Sequence, residues 1–138
     1  MNTHSRGDIA EMKIAVDAMA RGYKVSIPFG HDTSYDLVID IDGEMNRVQV
    51  KCVISEDDRI LIPGRSIGKL EGNSVRRNYT KDNIDWIAVL DERTDNIYYI
   101  GAEELGPTGK DYITLRLKPT LNNQVKGIRW AKDFTELT

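Results

Sequence analysis

The sequence predicts an α+β domain built on a mixed central β-sheet flanked by helices. Three observations predict it. The opening segment has helical periodicity, a set of short alternating strands follows around an Asp-Gly turn, and Ile84 to Leu90 (IDWIAVL) is too apolar for anything but an interior strand. With 138 residues the chain has room for one domain with a real core but not for two full domains. Residues 1–138 are therefore read as a single domain.

Asp8 to Arg21 reads as a helix with an apolar stripe of Ile9, Met12, Val16, Met19 and Ala20. Ser5 or Asp8 can cap its start, and Gly22 ends it. A neighbouring stripe of Asp8, Glu11, Ala15, Ala18 and Gly22 is small enough to lie close against a sheet, with Glu11 near the contact edge. Lys24 to Phe29 reads as a short strand. Tyr35 to Ile41 follows, with Leu37, Ile39 and Ile41 on one face and Asp36, Val38 and Asp40 on the other. Asp42-Gly43 is a type I′ turn candidate, so a hairpin leads into Arg47 to Ile54. There Val48, Val50 and Cys52 share a face, opposite Arg47, Gln49, Lys51 and Val53. Ile60 to Ile62 is a further strand, closed by Pro63-Gly64. Arg65 to Asp82 is polar and basic with weak helical periodicity in Ile67, Leu70 and Val75. After the strand through Trp86, Asp91 to Asn96 turns into Ile97 to Ile100. Ala102 to Leu105 is one helical turn stopped by Gly106-Pro107, and Tyr112 to Leu117 is the last strand. The tail after Pro119 has no decisive pattern.

Apolar residues make up 40% and charged residues 30%, which excludes global disorder. No apolar run approaches the roughly 18 residues that a membrane span takes. The N-terminal segment lacks the pattern of an export signal. Cys52 is the single cysteine, so no intramolecular disulfide forms, and a reducing cytoplasmic setting is expected. With only His4 and His31 beside it, a Cys/His zinc site is out of reach. Any metal is then expected on carboxylate oxygens, which suit magnesium, manganese or calcium.

Charge is uneven along the chain. From Asp32 to Asp58 there are eight acids and two bases. From Pro63 to Lys81 there are five bases and one acid, and from Lys110 to Lys132 six bases and one acid. An acidic centre between basic flanks suits a cation site that faces a polyanion.

The strands are interrupted by charge in a particular way. Asp36 enters one apolar strand, Gln49 and Lys51 share a face of the next, and Glu11 reaches in from the helix. Taken singly, each has a plainer reading: Glu11 as a solvated charge, Asp36 bonded to its turn, Lys51 reaching out from an edge. Together they offer two carboxylates, a neutral amide oxygen and an ammonium, which suits activation of water against a phosphodiester.

Gly7-Asp8-Ile9-Ala10-Glu11, Tyr35-Asp36 and Gln49-Val50-Lys51 resemble the PD-(D/E)XK nuclease superfamily. More narrowly they are similar to its group I intron homing endonuclease branch, as are Ile27-Pro28-Phe29-Gly30 and Arg76-Arg77-Asn78-Tyr79. The resemblance spans residues 5 to 105. It implies a restriction-endonuclease-like fold and hydrolysis of double-stranded DNA to 5′-phosphate and 3′-hydroxyl ends. Magnesium is the implied cofactor, with manganese as a substitute. Glu11, Asp36, Gln49 and Lys51 are the implied catalytic residues, and Asp36, Glu11 and Val50 the metal positions. Two positions depart from the family pattern: Gln49 stands where most members carry Asp or Glu, and Tyr35 replaces the proline. The first removes one negative charge from the site, a change the homing branch accommodates. Arg65, Lys69, Arg76, Arg77 and Lys81 are expected to contact DNA, with Tyr79 stacking on it or bonding a phosphate. So small a subunit spans a long site only as a homodimer or homotetramer. A Holliday-junction resolvase, a restriction-type nuclease and a noncatalytic DNA-binding module are the rival readings.

Overall fold

A computed structural model describes every residue except Met1, His31, Glu71, Gly72, Asn123 and Gln124, and for residues 67–70 and 73–76 the backbone alone. Its elements are those of the α+β class. The first helix, α1 (Thr3–Ala20), begins earlier than its apolar period, because the Asn2 side chain accepts from the Ser5 N–H at 2.9 Å and caps it. Gly22, at φ +93°, then turns the chain.

Of the two predicted stripes, α1 buries part of the small one, through Ala18 with Ala15 packed beside it, and leaves most of the apolar one outside. Ala10, Ile14 and Ala18 are fully buried, whereas Met12 is 70% exposed, Val16 63% and Met19 62%. Both stripes have helical spacing, so periodicity alone does not choose between them. The alanines win because they let the helix lie close on a sheet face already filled by Leu37, Ile39, Val48, Val50, Ala88, Leu90 and Tyr99. Glu11 borders that contact, and the larger apolar residues point outward.

The central sheet has five strands: β1 (Lys24–Ser26), β2 (Leu37–Ile41), β3 (Glu44–Val53), β7 (Trp86–Asp91) and β8 (Asn96–Gly101), in that spatial order. β1 stops short of Phe29, since Pro28 has no N–H to donate to the ladder. Asp42 and Gly43 both have positive φ, 53° and 93°, as a type I′ turn demands, and β2 and β3 pair with Leu37 opposite Val48. β3 and β7 run parallel, while the remaining neighbours are antiparallel.

β7 is interior, as its composition predicts. Ala88 and Leu90 face the α1 layer, and Ile87 and Val89 face the second core. That second core is closed by a two-stranded ribbon of β4 (Arg59–Pro63) and β9 (Tyr112–Arg116), which contributes Ile60, Ile62, Ile113 and Leu115. Among the described residues α1 is the one α-helix, so strands rather than further helices cover this side.

Residues expected to show helical periodicity form a second ribbon instead, β5 (Arg65–Leu70) with β6 (Asn73–Asn78), registered Arg65 to Asn78 through Leu70 to Asn73. Among the described residues it joins neither of the other two sheets. Three apolar residues in this segment are too few to separate a 3.6 period from a strand that pairs with its own return. The tail packs as well: the Tyr99 N–H on the outer side of β8 donates to the Phe134 carbonyl at 2.7 Å, and Leu137 is buried. No helix among the described residues is long and apolar enough to cross a membrane.

Candidate active site

Asp36 sits at the mouth of β2, anchored by its backbone N–H on the Val48 carbonyl at 2.9 Å. Its Oδ2 accepts from the Val50 N–H at 2.9 Å and from the Gln49 Nε2 at 2.8 Å. The hairpin register thus carries Gln49 and Val50 to the carboxylate. From α1, Glu11 reaches the same place and shares a hydrogen bond with Asp36. Lys51, two residues along β3, is close enough to feel the Asp36 charge.

Electrostatics follow from crowding in a half-buried place. Burial, the Asp36 charge, the shared hydrogen bond and the nearby Asp8 push the Glu11 carboxyl up to about 7. Burial also raises Asp36, against the opposing pull of the Val50 N–H, Glu11 and the Lys51 ammonium. Burial lowers Lys51, and Asp36 partly restores it. Two carboxyls crowded together in a half-buried place form a site short of positive charge.

The oxygens gathered here are all hard: the Glu11 and Asp36 carboxylates and the Val50 carbonyl, with the Gln49 amide presenting its Nε2 to Asp36 at 2.8 Å and to the Val50 carbonyl at 3.3 Å. Those oxygens fit a small divalent cation such as magnesium or manganese. The described residues contain no cluster of three or more Cys, His, Asp or Glu, so the acids at this site are a pair.

The other predicted residues are placed less uniformly. Arg77 and Lys81 are exposed. Arg65 is not free to meet a polyanion: its guanidinium lies 3.3 Å from Asp111 and 5.3 Å from the centre of the Tyr112 ring. Tyr79 is 4% exposed, which disagrees with stacking on DNA; it lies beneath Lys51. The side chains of Lys69 and Arg76 lie outside the described residues. Cys52 is half-buried rather than fully buried, and its thiol donates to Glu92 at 2.8 Å. Burial and that bond push its pKa up to about 11, which removes it as a nucleophile. Sequence reasoning missed the Tyr79 contact because a whole ribbon separates Tyr79 from Lys51, and no local spacing encodes it.

Carboxylates beside a strand-borne lysine, on a mixed sheet packed against one helix, define a class of phosphodiester-cleaving enzymes. The chain is an endonuclease: it belongs to the PD-(D/E)XK endonuclease family, whose model matches residues 1–137. Among solved structures it is similar to a bacterial homing endonuclease, I-Ssp6803I, with a TM-score of 0.70 and 27% identity over 91% of this chain and 84% of that one. No curated protein matches it significantly.

Proposed function

We propose that this endonuclease cleaves double-stranded DNA site-specifically, in the manner of a homing endonuclease, with magnesium as cofactor and manganese as a substitute. The observation that carries the reading is the meeting of Glu11, Asp36, Gln49 and Lys51 at one point of the sheet. Glu11, Asp36 and the Val50 carbonyl would hold the cation, with the Gln49 amide oxygen beside them. When bound, the cation supplies Lewis acidity and lowers the pKa of water. Gln49 orients the Asp36 carboxylate through its amide N–H, a task that a second carboxylate in the same place could not perform. Lys51 presents a partly desolvated ammonium to the phosphate, where charge develops as water adds and the bond to the 3′ oxygen breaks. The products are a 5′-phosphate and a 3′-hydroxyl.

Incubating the protein with magnesium and a randomised duplex library tests this directly. Discrete cleaved sites support the reading, and no cleavage with either metal overturns it. Running a four-way junction in parallel separates a resolvase from a duplex nuclease.

A two-stranded ribbon has the right width for the major groove, and β5–β6 is such a ribbon with basic residues along it. Of these, Arg77 is exposed. Arg77→Ala is expected to weaken duplex binding and to reduce the slope of log K against log salt by about one. Titrations at several salt concentrations measure it, and an unchanged slope removes Arg77 from the interface.

We also propose self-association, as a homodimer or homotetramer, through the outward face of α1. Its stripe Ile9, Met12, Val16, Met19 is spaced 3, 4, 3, symmetric about its midpoint, so two antiparallel copies match residue for residue. The charges beside it are already paired within the chain, Arg6 with Glu92 and Lys13 with Asp95, both at 2.7 Å. Val16→Asp is expected to yield a folded monomer by sedimentation; an unchanged oligomer places the contact elsewhere.

A further inference from the structure

Lys51 is held from outside its own strand. Its Nζ donates to the Arg65 carbonyl at 3.3 Å and to the Tyr79 hydroxyl at 3.5 Å, and it lies 5.1 Å from the centre of the Tyr79 ring. Among the described residues no carboxylate is within ion-pair distance of it. An ammonium on a flexible four-carbon stem therefore owes its position to an aromatic face and a carbonyl. Both holders belong to the base of one ribbon, because Arg65 opens β5 and Tyr79 follows the last residue of β6.

That base is tightly fixed. The Tyr79 N–H donates to the Gly64 carbonyl and the Gly64 N–H to the Asp111 carbonyl, each at 2.9 Å. A Cβ on Gly64 would lie 2.2 Å from the Lys110 carbonyl oxygen. A Cβ on Gly109, where φ is +82°, would lie 2.5 Å from that of Asn78. Two glycines thus allow the loop before β9 to press on the ribbon where Tyr79 leaves it.

We infer that Tyr79 is a positioning residue for Lys51, so that the base of the β5–β6 ribbon sets where the ammonium stands. This rests on the role given to Lys51 above. It also means that the element assigned to DNA contact and the group that meets the scissile phosphate share one support.

Two variants and two measurements test it. In the metal-free parent, NMR should find the Lys51 ε-methylene protons shifted upfield by the ring. Tyr79→Phe keeps that shift, because the ring remains, and Tyr79→Leu loses it. In single-turnover cleavage with magnesium, Tyr79→Leu is expected to be slower by about 30- to 100-fold with duplex Kd within about threefold, and Tyr79→Phe to stay within about fivefold of the parent. An unshifted Lys51 in the parent overturns the inference, even where the leucine variant fails to fold. So does a folded Tyr79→Leu that cleaves at the parental rate, or one that loses affinity in proportion to rate. A parent with the ring shift but no cleavage leaves the positioning intact and sinks the nuclease reading instead.

Discussion

Lys51→Ala is expected to drop magnesium-supported cleavage by at least about 1,000-fold, while duplex binding stays within a few-fold of the parent. The asymmetry follows from where the ammonium sits. Lys51 is half-buried beside Asp36 and Tyr79, whereas Arg77 and Lys81, on which salt-dependent binding is proposed to rest, are exposed. It can therefore contribute little to holding a duplex, and much to the charge that builds on phosphorus. Asp36→Ala is expected to fall as far, since it removes the carboxylate to which both the Gln49 amide and the Val50 N–H are directed. Plasmid nicking under single-turnover conditions is the measurement. A Lys51→Ala protein that nicks at the parental rate removes the lysine from the mechanism.

Asp91→Ala is expected to destabilise the fold by about 3 kcal/mol, measured by urea or thermal unfolding. Asp91 is fully buried at the end of β7, and three donors converge on it: the Ser55 N–H at 2.9 Å, the Thr94 hydroxyl at 2.7 Å and the Arg93 N–H at 3.2 Å. Removing the acceptor leaves the buried Ser55 N–H unpaired, which costs more than its bond contributes, and releases the Thr94 and Arg93 donors that fix the turn. Burial alone would raise its carboxyl, yet the bonds from Ser55, Thr94 and Arg93 outweigh burial and hold it below the usual range. Asp85 behaves alike, lowered against burial by its bonds to Arg47. A carboxyl lowered on folding stabilises fully above its unfolded value, near about 4, and that stability drains away as pH falls through the folded value. Glu11 works in the opposite direction. Raised to about 7, it favours the fold while protonated, and in metal-free protein that contribution is lost as pH rises toward and past 7. Thermal stability without metal should therefore be greatest in mildly acidic solution. Asp91→Ala should flatten its acid limb, and an acid limb equally steep in the variant would assign the loss to other groups.

The central strands and the hairpin that carries the candidate site were legible because their signals are local. A period of two over Tyr35 to Ile41, the Asp-Gly turn and the unbroken apolar run through Trp86 each specify an element without knowledge of its partners. Gln49 and Lys51 are two residues apart on one strand, so their shared face follows from the pleat. The helix was legible in its end, but neither its start at Thr3 nor which stripe it buries was, since Ile9, Met12, Val16 and Met19 satisfy the same count as Ala10, Ile14 and Ala18. What decides is the space left above the sheet, a property of Leu37, Ile39, Val48 and Tyr99 together. The placements of Arg65 and Tyr79 were not legible for a related reason. Composition marks a basic or aromatic residue as available, but Asp111 and Tyr112 occupy the one, and Lys51 covers the other, across gaps that only the folded chain closes.

The tail that lies along β8 has a consequence for how the molecule keeps to itself. A five-stranded sheet has two rims that could recruit foreign strands. One rim is β1, with only three residues, and the other is screened where the Phe134 carbonyl takes the Tyr99 N–H and Leu137 is tucked beneath. The closing residues thus act as a selvedge: they finish the woven edge so that it neither unravels nor catches on its neighbours.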